Sequence, residues 1–239
     1  MRATSRRRAS QQRAAWDDRV LSWSEQVEAS EPFARIRDTI FELADPRPTD
    51  RCVDLGAGAG FITLPLAQAA ASTLAVDVAP MMLATLARRA RQERLDNLDT
   101  RACDMARLSL EPTSVDLIVS NYALHSLPHR GKQQLLERAH GWLRPGGRLV
   151  IADMMMGRGL SARDRSILTD KSRRLLKQGP AGAWRLVRNA AELGLGIGEN
   201  RPATPAWWAS ALTRAGFEQV RYRDVVAEAG VVAARKPQS

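Results

Sequence analysis

The stretch Arg51-Cys52-Val53-Asp54-Leu55-Gly56-Ala57-Gly58-Ala59-Gly60 runs from a short apolar strand through Asp54 into three glycines at alternate positions. The apolar segment Phe61 to Ala71 follows and is expected as a helix. Glycine lacks a Cβ, so at a tight strand-to-helix turn the backbone can approach a ligand closely. The spacing differs from the G-x-G-x-x-G of dinucleotide sites, where a pyrophosphate rests on the helix N-terminus. Taken alone, the run is equally compatible with a tight turn that holds no ligand.

The neighbouring sequence decides between these readings. Seventeen residues past Gly60, Asp77 ends a second apolar strand, Thr73-Leu74-Ala75-Val76. A carboxylate there can accept hydrogen bonds from both hydroxyls of a ribose. Arg101-Ala102-Cys103-Asp104-Met105 ends a third strand in another carboxylate. Ser114-Val115-Asp116-Leu117-Ile118-Val119-Ser120-Asn121 reads as a fourth strand, followed by the loop Tyr122-Ala123-Leu124-His125. Leu143-Arg144-Pro145-Gly146-Gly147 then turns into the apolar Arg148-Leu149-Val150-Ile151.

The D-x-G-x-G-x-G run resembles motif I of the class I S-adenosylmethionine-dependent methyltransferases. Asn121 to His125 is similar to their motif IV in its small-molecule form, and Leu143 to Gly147 to their L-x-P-G-G turn into strand five. The resemblance covers about residues 45–155 well, 203–239 in topology, and 1–44 and 157–202 weakly. It implies that the loop cradles the amino-acid end of the cofactor. It implies too that Asp77 takes the ribose, that Asp104 accepts from the adenine amino group, and that the Met105 N–H faces the ring. The cofactor-binding set is then Asp54, Gly56, Ala57, Gly58, Gly60, Asp77, Val78, Met82, Asp104, Met105 and Asn121. Motif IV here is not the [N/D]-P-P-[Y/F/W] of enzymes that methylate adenine or glutamine amino groups. The A-L-H form resembles the branch that includes quinone-biosynthesis and natural-product methylases.

Strand and helix patterns alternate from Arg51. Strands are expected near 51–55, 73–77, 97–102, 115–120 and 147–153, with helices at 60–71, 80–93 and 131–142. Such alternation means βαβ units and a parallel sheet with helices on both faces. The alternation makes the fold class α/β and doubly wound, and the resemblance implies a mostly parallel, seven-stranded Rossmann-like methyltransferase fold with N-terminal helices and a helical lid insertion. Residues 1–44 are read as a basic tail and N-terminal helices, with Trp16, Val20, Trp23 and Val27 on one helical face and a second helix over Glu31 to Leu43. Residues 45–156 are the cofactor core and 157–202 a lid and substrate wall. Residues 203–239 supply a last helix and a closing strand pair. Thr204-Pro205 is a good N-cap and first-turn pair, and Gly216 a good C-terminal glycine.

The 239 residues carry a net charge of +10, which suggests a polyanionic partner. Thirty-two of the 36 basic residues are arginine, and they are scattered along the chain. A solvated basic surface is therefore favoured over a nucleic-acid footprint. Cys52 and Cys103 are read as buried free thiols and no metal-ligand spacing exists, so no metal is expected. Without an apolar membrane span or signal-peptide core, a cytoplasmic location is expected.

His125, on the motif IV loop, is the candidate general base, with Tyr122 beside it to orient substrate or stack on the cofactor. The rival role for His125 is a hydrogen bond within the loop or a place in the lining of the cofactor pocket. His129 and His140 are read as surface residues. Tryptophans 16, 23, 184, 207 and 208 are expected to offer aromatic walls. The expected function is methyl transfer from S-adenosylmethionine to carbon, oxygen or nitrogen of a small, partly apolar acceptor. The alternatives are an RNA or protein methyltransferase, and a cofactor-binding protein without turnover.

Overall fold

The computed structural model describes residues 27, 29–156, 169, 202–226 and 228–238. The expected helical face of Trp16, Val20 and Trp23 and the Trp184 wall lie outside the described residues. So does nearly all of the expected lid. The described elements are α1 (Glu31–Ala44), β1 (Arg51–Leu55), α2 (Thr63–Ala69), β2 (Ser72–Asp77), α3 (Pro80–Gln92), β3 (Leu98–Ala102) and β4 (Val115–Asn121). After a 3-10 turn at Leu124–Ser126 come α4 (His129–Trp142), β5 (Leu143–Met154), α5 (Pro205–Arg214), β6 (Glu218–Val226) and β7 (Ala229–Arg235).

The strands form one seven-stranded sheet in the order β3-β2-β1-β4-β5-β7-β6. β1 to β5 pair in parallel, while β7 runs antiparallel to both of its neighbours. This is the doubly wound arrangement expected, with the seventh strand reversed.

The period of two along each central strand explains why both faces carry helices. Val53, Ile118, Leu149 and Ile151 point into a core shared with Leu135 and Trp142 of α4 and Trp208 and Leu212 of α5. Cys52, Leu117, Val119, Val150 and Ala152 point the other way, onto Ile36 and Ile40 of α1 and Leu66 of α2. Every second residue is thus committed to one layer, which fixes the register against a one-residue slip.

Element ends follow local chemistry. α1 stops at Asp45, which takes a left-handed φ of 45° ahead of Pro46. α5 starts at Thr204, whose hydroxyl accepts from the Trp207 N–H at 3.2 Å, with Pro205 in the first turn. β5 begins at Leu143, four residues before the expected start. Leu143 pairs with Val115, and a bulge then carries the Pro-Gly-Gly turn before Arg148 pairs with Leu117. Arg148 is a buried charge in this strand. Its guanidinium is satisfied by the Asp45 carbonyl at 2.7 Å and by the Asp50 carboxylate, so it ties the α1–β1 connection to the sheet. A buried charge is tolerable only with such partners.

Several readings need correction. His140 is half-buried: its ring packs edge-on to Phe217 at 5.1 Å, and burial lowers its pKa. Trp208 lies fully in the core, and Trp207 stacks on His129 at 4.7 Å, so neither forms a wall of the ligand cleft. Cys52 is buried and its thiol is pushed up to about 12, chiefly by burial. Cys103, in contrast, is only half-buried. Among the described residues no helix is long and apolar enough to cross a membrane, and no cluster of metal-binding side chains is present.

Candidate functional site

In an open parallel sheet, ligands sit beyond the carboxyl ends of the strands where the strand order reverses. That point lies between β1 and β4 here, and a cleft opens there. Its wall takes Gly56 to Ala59 after β1, Asp77 and Val78 after β2, Asn121 to Ala123 after β4, and His125 from the 3-10 turn.

The glycine loop is pinned from below, because Gly56 and Ala57 both donate their N–H groups to the Val76 carbonyl at 2.8 and 3.1 Å. The three glycines do different jobs. A Cβ on Gly56, at φ +81°, would lie 2.2 Å from the Ala123 Cβ, and one on Gly60, at φ +100°, 2.4 Å from Leu86 Cδ1. Those two are required by the turn and by protein packing. The positive φ at Gly60 also delays the helix, so α2 starts at Thr63 and not at 60. A Cβ on Gly58, at φ +53°, would meet nothing within 4 Å. Its neighbouring space is the cleft itself, so only this glycine leaves room for a ligand.

Gly58→Ala is therefore expected to cost roughly 1–2 kcal/mol of backbone strain, read as a few degrees in thermal unfolding. Its methyl group projects over the cleft, so ligand affinity should fall by about tenfold or more, near 1.4 kcal/mol. Unchanged calorimetric affinity in a folded variant would remove Gly58 from the cradle.

Asp77 is the clasp of the loop. One carboxylate oxygen accepts from the Gly58 N–H at 2.8 Å and the other from the Ala79 N–H at 2.9 Å.

Asp54 is 1% exposed. One oxygen accepts from the Thr63 hydroxyl at 2.6 Å, and the other, Oδ1, has no partner among the described residues. Burial pushes this carboxyl up to about 7; the Thr63 bond opposes the shift and the Asp77 charge adds to it. An acid whose folded pKa is raised holds its proton more tightly when folded. Stability is then fully present below the unfolded value of 3.8 and falls as pH rises toward about 7. Chemical unfolding at pH 5, 6 and 7 should show a downward slope approaching about 1.4 kcal/mol per unit from this group. Asp54→Asn should flatten it, and equal slopes in the two proteins would contradict the shift.

On the opposite wall, His125 and Asp153 form a buried pair. The His125 Nδ1–H donates to Asp153 Oδ1 at 2.6 Å, and the His125 backbone N–H donates to Asp153 Oδ2 at 2.7 Å. The Met154 N–H adds a third bond to Asp153 at 2.7 Å. A carboxylate on Nδ1 fixes the tautomer, so Nε2 is the basic nitrogen in the neutral ring. Asp153 was not legible as a site residue. It is the last but one residue of β5 and follows Ala152, which pairs with Asn121, so the parallel register alone sets it beside the β4 loop.

Tyr122 takes φ +51°, a left-handed value uncommon for a bulky residue. Its N–H donates to the Ala152 carbonyl at 2.9 Å, and its ring lies 5.0 Å from Phe33 and 6.3 Å from His125. Phe33 in turn packs edge-on to Phe61 at 6.3 Å. Burial raises the Tyr122 hydroxyl well above its ordinary value, so it stays neutral. Asn121 presents a buried side-chain oxygen without a partner among the described residues.

The structure thus brings Asp54, Gly56, Ala57, Gly58, Asp77, Val78, Met82, Met105, Asn121, Tyr122 and His125 to one cleft. It leaves two expected residues out. Gly60 is a packing glycine, and Asp104 closes its own turn by accepting from the Ala106 N–H at 2.9 Å. Sequence reasoning missed Phe33, Phe61 and Arg89, which also line the cleft. Phe61 directly follows the last glycine and could have been found by that adjacency. Phe33 and Arg89 carry no such signal.

The cleft fits S-adenosylmethionine on its own terms. The oxygens of Asp54 and Asn121 that lack partners among the described residues call for donors, the space over Gly58 is open, and Asp77 lines the same cleft. Comparison with known proteins agrees. The family described as a methyltransferase domain matches residues 52–147. An arsenite methyltransferase of Halobacterium salinarum is 29% identical over 111 residues, 45% of this chain and 28% of that protein. A trans-aconitate 2-methyltransferase of Deinococcus radiodurans is 40% identical over 111 residues, 46% of this chain and 40% of that protein. The chain thus spans less than half the length of these relatives. The solved N-methyltransferase NodS of Bradyrhizobium japonicum, in complex with S-adenosylhomocysteine, shares the fold at a TM-score of 0.63 and 16% identity. That match covers 89% of this chain and 91% of NodS. With its sheet order and glycine loop, residues 52–147 of the chain match a methyltransferase domain, and the described residues share the fold of a solved S-adenosylhomocysteine-bound methyltransferase.

Proposed function

We propose that this chain transfers the methyl group of S-adenosylmethionine to a small-molecule acceptor, with His125 as general base. The observation that carries the reading is the Asp153-backed imidazole on the wall of the cleft that also holds the glycine loop. When bound, the cofactor supplies an electrophilic methyl group on a sulfonium whose leaving group is a neutral thioether. Asp54 Oδ1 would receive the cofactor's ammonium group, Asp77 its ribose hydroxyls, and Met105 would pack at the adenine. Asp104, which does not line the cleft, is not assigned a direct contact. Holding an acceptor in line makes up to roughly 7–11 kcal/mol of barrier reduction available. His125 Nε2 takes the acceptor's proton while Asp153 keeps the ring oriented and stabilises the imidazolium.

Titration calorimetry with S-adenosylmethionine and S-adenosylhomocysteine tests the cofactor half, and micromolar affinity, about −8 kcal/mol, is expected. Methyl-labelled cofactor added to cell extract tests the acceptor half, with label expected in the low-mass fraction. No heat with either ligand, or label confined to RNA or protein, would overturn the proposal.

A further inference from the structure

We propose that Arg138 is a positioning residue for the nucleoside half of the cofactor: its guanidinium holds the turn that places Met105 in the cleft. This deepens the methyltransferase reading above and rests on it. The connection from β3 to β4, residues 103–114, contains no helix. Peptide groups in such a connection must find partners outside regular secondary structure. Its start is tied to β2, because the Cys103 N–H donates to the Asp77 carbonyl at 2.8 Å. The next N–H groups are met within the turn. Ala106 donates to the Asp104 carboxylate at 2.9 Å, and Arg107 to the Asp104 carbonyl at 2.7 Å.

Three carbonyls of the same turn are met from α4. Arg138 Nη1 donates to the Ala106 carbonyl at 2.7 Å and to the Leu108 carbonyl at 3.4 Å, and Nη2 to the Met105 carbonyl at 3.3 Å. Nε donates back to the Gln134 carbonyl of its own helix at 3.3 Å, and the guanidinium carbon lies 5.8 Å from the centre of the Trp142 ring. The head group is therefore braced by α4 on one side while it grips the turn on the other. Five donors in one rigid plane suit a curved row of carbonyls, which the point charge of a lysine cannot match. Burial lowers the pKa of Arg138, and the Asp104 charge works against that shift. Asp104 thus gains a role away from the cleft: it closes the turn and steadies the guanidinium.

The gripped turn reaches the cofactor site through Met105. That side chain lines the cleft, and its Cε lies 3.6 Å from the point where a Cβ on Gly56 would stand. Leu108, at the other end of the turn, is buried in the core shared with α4. Arg138 itself is not among the residues lining the cleft. Its influence on a ligand must pass through the backbone of residues 105–108. A wall fixed before the ligand arrives needs less ordering on binding, so the fork raises affinity through preorganisation.

The test measures S-adenosylhomocysteine and 5′-methylthioadenosine, which keeps the nucleoside and lacks the amino-acid end, by calorimetry on the full chain. Arg138→Met should weaken both by about tenfold, and Arg138→Lys should recover only part of the loss. In a Met105→Ala background, Arg138→Met should change affinity by no more than about threefold, because residues that act through one another are not additive. Thermal unfolding and circular dichroism report the fold of each variant. A folded Arg138→Met protein with parental affinity overturns the proposal. So does an equal loss in both backgrounds, which marks a purely structural role, or a loss for S-adenosylhomocysteine that spares methylthioadenosine. If Arg138→Met does not fold, Arg138→Lys decides: parental affinity overturns the proposal and a several-fold loss upholds it. If the parent binds S-adenosylhomocysteine and the Arg138 variants match it, this inference alone fails. If the parent binds neither ligand, the methyltransferase reading fails and takes this inference with it.

Discussion

His125→Ala is expected to lower the rate of methyl transfer by roughly 10²–10⁴-fold, the usual worth of a positioned general base. Cofactor affinity should stay within a few-fold, because the loop-side contacts of Asp54, Gly58 and Asp77 do not involve the imidazole. Asp153→Asn separates orientation from proton transfer. The amide can still accept from Nδ1–H, but it can also donate, which permits the wrong tautomer and leaves the imidazolium without its counter-charge. Its loss should be smaller in binding than in turnover. If single-turnover rates of His125→Ala match the parent, the histidine belongs to loop structure, as the 2.7 Å bond from its backbone to Asp153 would then suggest.

Asp77→Ala should have the largest effect on binding. The carboxylate already holds the Gly58 and Ala79 N–H groups, so its removal disturbs both the cradle and the ribose contact. Hydrogen bonds to a charged acceptor are worth roughly 1.5–3 kcal/mol each, and losing two corresponds to about a hundredfold or more in affinity. Asp77→Asn keeps one acceptor oxygen and should fall between. Calorimetry on variants with parental circular dichroism measures both. Parental affinity in Asp77→Ala would reduce the residue to a clasp for its own loop.

The parts of this site that sequence reveals are those built from consecutive residues. The glycine run, the strand-ending Asp77 and the loop from Asn121 to His125 each declare themselves within a dozen positions, because strand, turn and helix are local in sequence. Asp153 is different. It lies 28 residues from His125 and meets it only because β4 and β5 are parallel neighbours in one register. Phe33 comes from a helix outside the βαβ alternation, and no periodicity points its ring at the cleft. The tryptophans misled for a related reason. Hydrophobic bulk at 207 and 208 is as consistent with a core as with a wall, and burial of Trp208 against α4 and the sheet resolved it to core.

The position of β7 bears on how the protein comes to exist. β5 pairs along seven residues with β7, from Arg148 opposite Arg235 to Met154 opposite Ala229, and Asp153 lies opposite Gly230. Until residues 229–235 have left the ribosome, β5 is an open edge with unpaired N–H and C=O groups and an apolar flank. Chains emerge at roughly 5–20 residues per second, so this edge stays exposed for seconds. It is a place where nascent chains could pair with one another or be held by chaperones. The strand that carries the partner of the proposed base is thus among the last to be locked, and assembly of the site waits on synthesis of β7.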